Sequence, residues 1–191
     1  MSLHAVVLIL GLTLLLAYGV MLYNGLVTVK HNVAQAWSNI EVLLKQRHDE
    51  LPKLVEVCRQ YRQFEQETLQ RVIEARAKVF NAQQSHSADA LGPAESALRA
   101  SLGNLFAVAE AYPELRANEQ FLNLQARISA LENAIGDRRE YYNESVNINN
   151  VRIEQFPEVL VARMFDFPKR AHLRFSEREK ADVNVRELFA A

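Results

Sequence analysis

The side chains able to do chemistry are few and widely spaced. The five histidines are His4, His31, His48, His86 and His172. No two stand at a metal-ligand spacing, and Cys58 has no second cysteine to join it. No metal, cofactor or intrachain disulfide is therefore expected. Cys58 itself reads as a small apolar residue on a helix face. Glu65 and Glu67 are a close carboxylate pair, but two residues apart on a helix they point to different faces. No glycine-rich phosphate loop and no serine in a nucleophile-elbow pattern occurs. The expected class is non-enzymatic, with no catalytic residues.

What the chain does carry is length, helix and one strongly apolar segment. It has 191 residues, 49% hydrophobic and 24% charged, which supports a packed core and argues against global disorder. Only 6 Gly and 5 Pro are present, which favours long helices over many short strands. The net charge of −1 argues against generic nucleic-acid binding. From Ala5 to Val29 there is no Asp, Glu, Lys, Arg or His. Ala5 to Tyr23 alone makes a helix of roughly 28 Å, against a hydrocarbon core of about 30 Å. A cleaved signal peptide competes with an anchor, because Ala17-Tyr18-Gly19 has the small-x-small form of a cleavage site. Against cleavage, Met1 to His4 holds no Lys or Arg, and the apolar run continues through Val20, Met21 and Leu22. An uncleaved single-pass anchor is the expectation. Lys30, Lys45 and Arg47 follow it, which predicts an outside N-terminus and a cytoplasmic body.

Beyond the anchor, Leu26, Val33, Trp37, Ile40, Leu44 and Leu51 lie on one helical stripe. His48-Asp49-Glu50 and Pro52 read as a break, with Pro52 in the first turn of a second helix from about Glu50 to Gln84. Gly92-Pro93 restarts the chain after a loop at Ser85–Asp89, and Pro113 limits the third helix. The fourth helix has Asn118 as N-cap and ends at Pro157. Its stripe is Phe121, Leu124, Ile128, Leu131, Ile135, Arg138 and Tyr142, with Arg138 at a seam position. The fold class is all-α: an N-terminal transmembrane helix continuing into an antiparallel bundle of about four long helices, with a short irregular C-terminal segment. The expected division is 1–25 anchor, 26–160 bundle, and 161–191 basic, aromatic segment and tail. Core positions are Trp37, Ile40, Leu44, Leu54, Tyr61, Tyr112, Leu124, Ile128, Leu131, Ile135, Tyr142 and Ile153.

The helix lengths bring some residues back to the bilayer. If the first two helices pair, the longer second one overshoots, and its end carries Lys78 and Phe80. An even number of traverses also returns the fourth helix toward the membrane. The membrane-interface candidates are Tyr18, Tyr23, Lys30, Lys78, Phe80, Arg163, Phe165, Phe167, Lys169 and Arg170. The competing reading of Arg163–Arg174 is a segment capping the bundle end. In the tail, Val183 and Val185 alternate as in a strand, or belong to a disordered terminus.

Several blocks together resemble the LemA family of bacterial membrane proteins. They are Tyr23-Asn24-Gly25-Leu26-Val27, Ala36-Trp37-Ser38, Asp49 with Pro52, Glu110-Ala111-Tyr112-Pro113-Glu114-Leu115, and Tyr142-Asn143 through Asn150, Ile153 and Phe156-Pro157. The match covers about Tyr23 to Phe167. Glu50 and Asn149 depart from the family pattern, which expects an apolar residue and an aromatic there, and this puts local packing in question. The resemblance implies a bacterial inner-membrane protein with a cytoplasmic helical bundle. It implies no catalytic residues. Some members are linked to a membrane metalloprotease, and a magnetosome relative is linked to membrane shaping. The expected function is a membrane-anchored scaffold, a coiled-coil-like homo-oligomer with the lipid bilayer as partner. The alternative is an adaptor for a membrane protease or another envelope enzyme.

Overall fold

A computed structural model of the chain describes residues 2–61 and 64–174. Val183 and Val185 lie outside the described residues. Among the described residues the regular elements are all helices: α1 (Leu3–Arg59), α2 (Gln66–Gln84), α3 (Ala88–Ala109), α4 (Pro113–Arg116), α5 (Glu119–Glu154) and α6 (Glu158–Met164). They form two compact units, 1–42 with 136–172, and 43–135 with 173–191.

In the first unit, α1 leaves its apolar stretch and buries Leu26, Val29, Val33, Ala36 and Ile40 at alternating spacings of three and four. α5 runs antiparallel beside it. Leu26 shares a core cluster with Ile153, while eleven residues further on Trp37 meets Tyr142 edge-to-face at 5.3 Å. Trp37 is only half-buried and donates its Nε1–H to Glu41 Oε1 at 2.8 Å. A side chain at Gly25 would stand 3.1 Å from the Arg152 guanidinium, so glycine lets α5 approach closely here.

The second unit corrects the expected helix boundaries. α1 does not break at His48–Pro52; it continues through Pro52 to Arg59. Proline removes the N–H that would bond the carbonyl of His48, four residues earlier. Arg76 replaces that bond: its Nε–H donates to the His48 oxygen at 3.1 Å, and its Nη2 meets His48 Nε2 at 2.6 Å. Burial holds the His48 imidazole below its ordinary pKa, and the Arg76 charge adds to this. The actual turn falls between Arg59 and Gln66, where Phe64 is buried against Tyr112. The α3 start is also earlier than expected. Ser87 caps it by accepting from Ala90 N at 3.3 Å, and Pro93 lies inside the helix.

α2 and α3 form an antiparallel hairpin around Leu69, Val72, Val79, Leu91, Leu98, Leu102 and Leu105. Asn118 caps α5 as expected, accepting from Phe121 N at 3.0 Å. Its amide also donates to the Tyr61 hydroxyl at 3.1 Å, which ties the turn after α1 to the start of α5. The inward row of α5 is Phe121, Leu124, Ile128, Ile135, Arg139, Tyr142, Val146, Asn149 and Ile153. Arg139 is therefore the buried arginine, and Arg138 is exposed, contrary to the seam expected from spacing. Ile40, Leu44, Leu54, Leu124, Ile128, Ile135, Tyr142 and Ile153 are buried; Trp37, Tyr61, Tyr112 and Leu131 are half-buried.

Arg47 is fully buried in this unit and donates to Glu95 Oε1 at 2.5 Å, with Glu132 3.9 Å away. Glu50 is also buried. It accepts from Arg127 at 2.6 Å and Lys53 at 3.1 Å, so the charge that departs from the family pattern is paired. Cys58 is buried, and desolvation pushes its thiol up to about 12.

Candidate membrane-interface site

The site grows from the point where α1 stops being apolar all round. Residues from Leu3 to Met21 carry an almost unbroken set of exposed large apolar side chains, which no soluble helix tolerates. The helix is long and apolar enough to cross a membrane. Tyr18 is exposed within this stretch, and Tyr23 closes it.

Three turns of chain geometry bring the C-terminal segment to Tyr23. α5 ends at Glu154, the Phe156–Pro157 bond is cis, and α6 follows at once. α6 packs through Ala162, with Val161 beside it, against Leu26 and Ile153. Asp166 then adopts a φ of 52°, a left-handed conformation that Asp tolerates better than most residues. The chain returns along α5 as an extended strap. Phe167 N donates to the Ala162 carbonyl at 3.0 Å as the strap begins.

A strap has no ladder of its own, so its polar backbone groups need partners. Asn150 supplies two: its Nδ2 donates to the Arg170 carbonyl at 2.9 Å, and its Oδ1 accepts from Arg170 N at 2.9 Å. Asn149, fully inside, reaches the Pro168 carbonyl at 3.5 Å. The Tyr142 hydroxyl donates to the Ala171 carbonyl at 3.0 Å, and burial raises its pKa although Arg170 opposes this. Asn149 thus departs from the expected aromatic for a reason visible in its partners.

The strap delivers the aromatic side chains. Phe165 and Phe167 meet the Tyr23 ring edge-to-face at 4.8 and 5.9 Å. The Lys30 ammonium stands 5.9 Å from the centre of the Phe167 ring. Arg163, Lys169 and Arg170 are exposed around them, with Lys169 paired to Glu154. Of the expected interface residues, Tyr23 meets Phe165 and Phe167, and Lys30 meets Phe167. Lys78 and Phe80 belong to the second unit. The length argument that placed them fails, because α2 has 19 residues rather than the expected span from Glu50. Phe80 stacks on His48 at 4.9 Å, and Lys78 is exposed.

Sequence reasoning missed the outer face of α6. Leu160 and Met164 point outward on it, four residues apart, and Phe156 is exposed just before it. Between α6 and the strap lies an open depression of about 430 Å³, lined by Val159, Arg163, Asp166, Phe167 and Lys169 among others. Among the described residues no group of three His, Cys, Asp or Glu side chains is placed to hold a metal. Glu65 accepts from Thr68, and Glu67 pairs with Arg71, so these carboxylates serve local helix structure.

A model of the LemA family matches residues 36–186. The chain is 30% identical to "Protein LemA" of Metamycoplasma hominis over 86% of its own length and 74% of that relative. It is 24% identical to "Magnetosome protein MamQ 2" of Paramagnetospirillum magneticum, over 94% of this chain and 74% of the relative. It is 21% identical to "Magnetosome protein MamQ" of Magnetospirillum gryphiswaldense, over 93% and 73%.

Proposed function

This chain belongs to the LemA family, and from that premise we propose that it is a non-enzymatic, membrane-anchored scaffold that self-assembles and organises the membrane it sits in. The observation that carries the assembly is an exposed apolar row on α5. Tyr141, Ile148 and Val151 are all exposed at spacings of seven and three, which places them on one face. The opposite face, Tyr142, Val146, Asn149 and Ile153, is already buried. Two apolar faces on one helix exceed what a single chain uses, and a second copy is the partner such a face fits. The similarity to magnetosome proteins supports membrane organisation as the purpose of the assembly. The weak basic bias after the anchor supports an outside N-terminus and a cytoplasmic body in the inner membrane.

The test is the mass of the detergent-solubilised full chain against concentration, for the native protein and for Tyr141→Glu with Ile148→Glu. An oligomer that the double substitution dissociates supports the reading. A native chain that stays monomeric at every concentration overturns it. The same row fits a different membrane protein, such as an envelope protease. A stoichiometric foreign partner purified from native membranes, with no self-copies, identifies the chain as an adaptor instead.

A further inference from the structure

We propose that α6 is a second membrane contact: its outer face lies in the headgroup boundary of the leaflet that α1 leaves, with Arg163 and Arg170 on anionic headgroups. This rests on the reading of α1 as a bilayer-spanning helix. A helix in water turns its large apolar residues inward. α6 buries Ala162 and packs Val161 on the same cluster, yet its two largest apolar side chains, Leu160 and Met164, are 58% and 77% exposed. Phe165, immediately after it, is 55% exposed, and Phe156, before it, is 79% exposed.

Tyr23 closes the apolar stretch of α1, so it stands at the level where hydrocarbon gives way to headgroups. Phe165 is 4.8 Å from that ring, centre to centre. The apolar face of α6 therefore begins at the level of Tyr23.

Over 158–172 the acidic residues are Glu158 and Asp166, against Arg163, Lys169 and Arg170, with Lys169 paired to Glu154. Glu158 is also engaged by Arg152 at 3.3 Å. The excess is positive, and it flanks the apolar face as it does in helices that lie in anionic interfaces.

The experiment places a nitroxide on the full chain in phosphatidylcholine vesicles, with and without phosphatidylglycerol. The label sits at Leu160→Cys or Met164→Cys, with Leu14→Cys on the anchor and Glu74→Cys on the exposed side of α2 as references. The expected result is that labels at 160 and 164 collide severalfold more with oxygen than with a water-soluble nickel chelate, as the label at 14 does, while 74 shows the reverse. Labels at 160 and 164 that behave like 74 overturn the proposal. So does protection from both reagents, which marks a covering protein. If the label at 14 is also open to the chelate, the anchor reading itself has failed; if 14 is in lipid and 160 is not, only α6 was misassigned. Phosphatidylglycerol should increase the oxygen exposure at 160, and Arg163→Glu with Arg170→Glu should cancel that increase. No response to either removes the headgroup contact.

Discussion

Arg47 and Glu95 meet at 2.5 Å with each side chain almost wholly removed from water. They are 48 positions apart in the chain, and the pair joins α1 to α3 inside the second unit. Taking two charges out of water is costly, and their mutual contact, with Glu132 3.9 Å from Arg47, offsets it. Arg47→Met leaves the Glu95 carboxylate buried without its partner. The expected loss is about 3–5 kcal/mol, or roughly 10 °C in melting temperature. Arg47→Met with Glu95→Leu should lose less than Arg47→Met alone. Circular-dichroism melts of the detergent-solubilised chain compare them. A double variant that melts below the single one counts against this account.

Arg76 and Pro52 are linked through the His48 carbonyl. Arg76→Met leaves that oxygen without its donor in the middle of α1, at an expected cost of about 1–3 kcal/mol. Pro52→Ala restores an N–H four residues on. The same Arg76 substitution should then cost clearly less in the Pro52→Ala background. Chemical denaturation of the four variants gives the coupling; equal losses in both backgrounds would dissolve the link.

Glu132 sets a pH dependence. Burial lifts its carboxyl above the ordinary 4.5, against the pull of Arg47 and Arg99 and with some help from Glu95. The folded chain then holds a proton that the unfolded chain has already released. Between 4.5 and the raised value, the unfolded state binds fewer protons, so this group's contribution to stability falls as pH rises. Below 4.5 the penalty is absent. Glu132→Gln should flatten that leg of a plot of melting temperature against pH. A plot that keeps its slope without the carboxyl assigns the slope elsewhere.

Gly92 offers a case where the usual sign reverses. Gly→Ala inside a helix ordinarily stabilises by about 1 kcal/mol. Here a Cβ would stand 2.4 Å from the Arg174 carbonyl oxygen, a backbone atom that a rotamer change cannot move. Gly92→Ala should therefore displace the chain at Leu173 and Arg174 and lower stability. Hydrogen exchange at those residues reads the displacement. Unchanged protection, with a higher melting temperature, would show the chain yields there at no cost.

Much of this fold is visible in the chain itself, where one period of apolar residues decides the outcome. The α5 face from Phe121 to Tyr142 follows from spacing alone, and its cap at Asn118 from one residue type. Arg138 against Arg139 shows the limit. A helix advances about 3.6 residues per turn, so a step of three from Ile135 and a step of four are nearly equal, and packing chooses. Pro52 shows a different limit. The local signal for a break is sound, but Arg76, 28 positions from His48, cancels it. The interface residues were legible as composition, basic and aromatic. Their meeting at Tyr23 was not, because a strap held by Asn149, Asn150 and Tyr142 has no period to detect.

The unbroken course of α1 from its apolar stretch into the first unit makes it a lever. No linker separates Tyr23 from Val42, and α5 is clamped alongside through Trp37 and Tyr142. From Tyr23 to Val42 the helix rises about 28 Å, so a change of about 10° in anchor tilt carries its far end sideways by about 5 Å. Anchors tilt to match the hydrocarbon thickness around them. Bilayer thickness thereby becomes a displacement of folded protein, and a row of such levers would register the same membrane together.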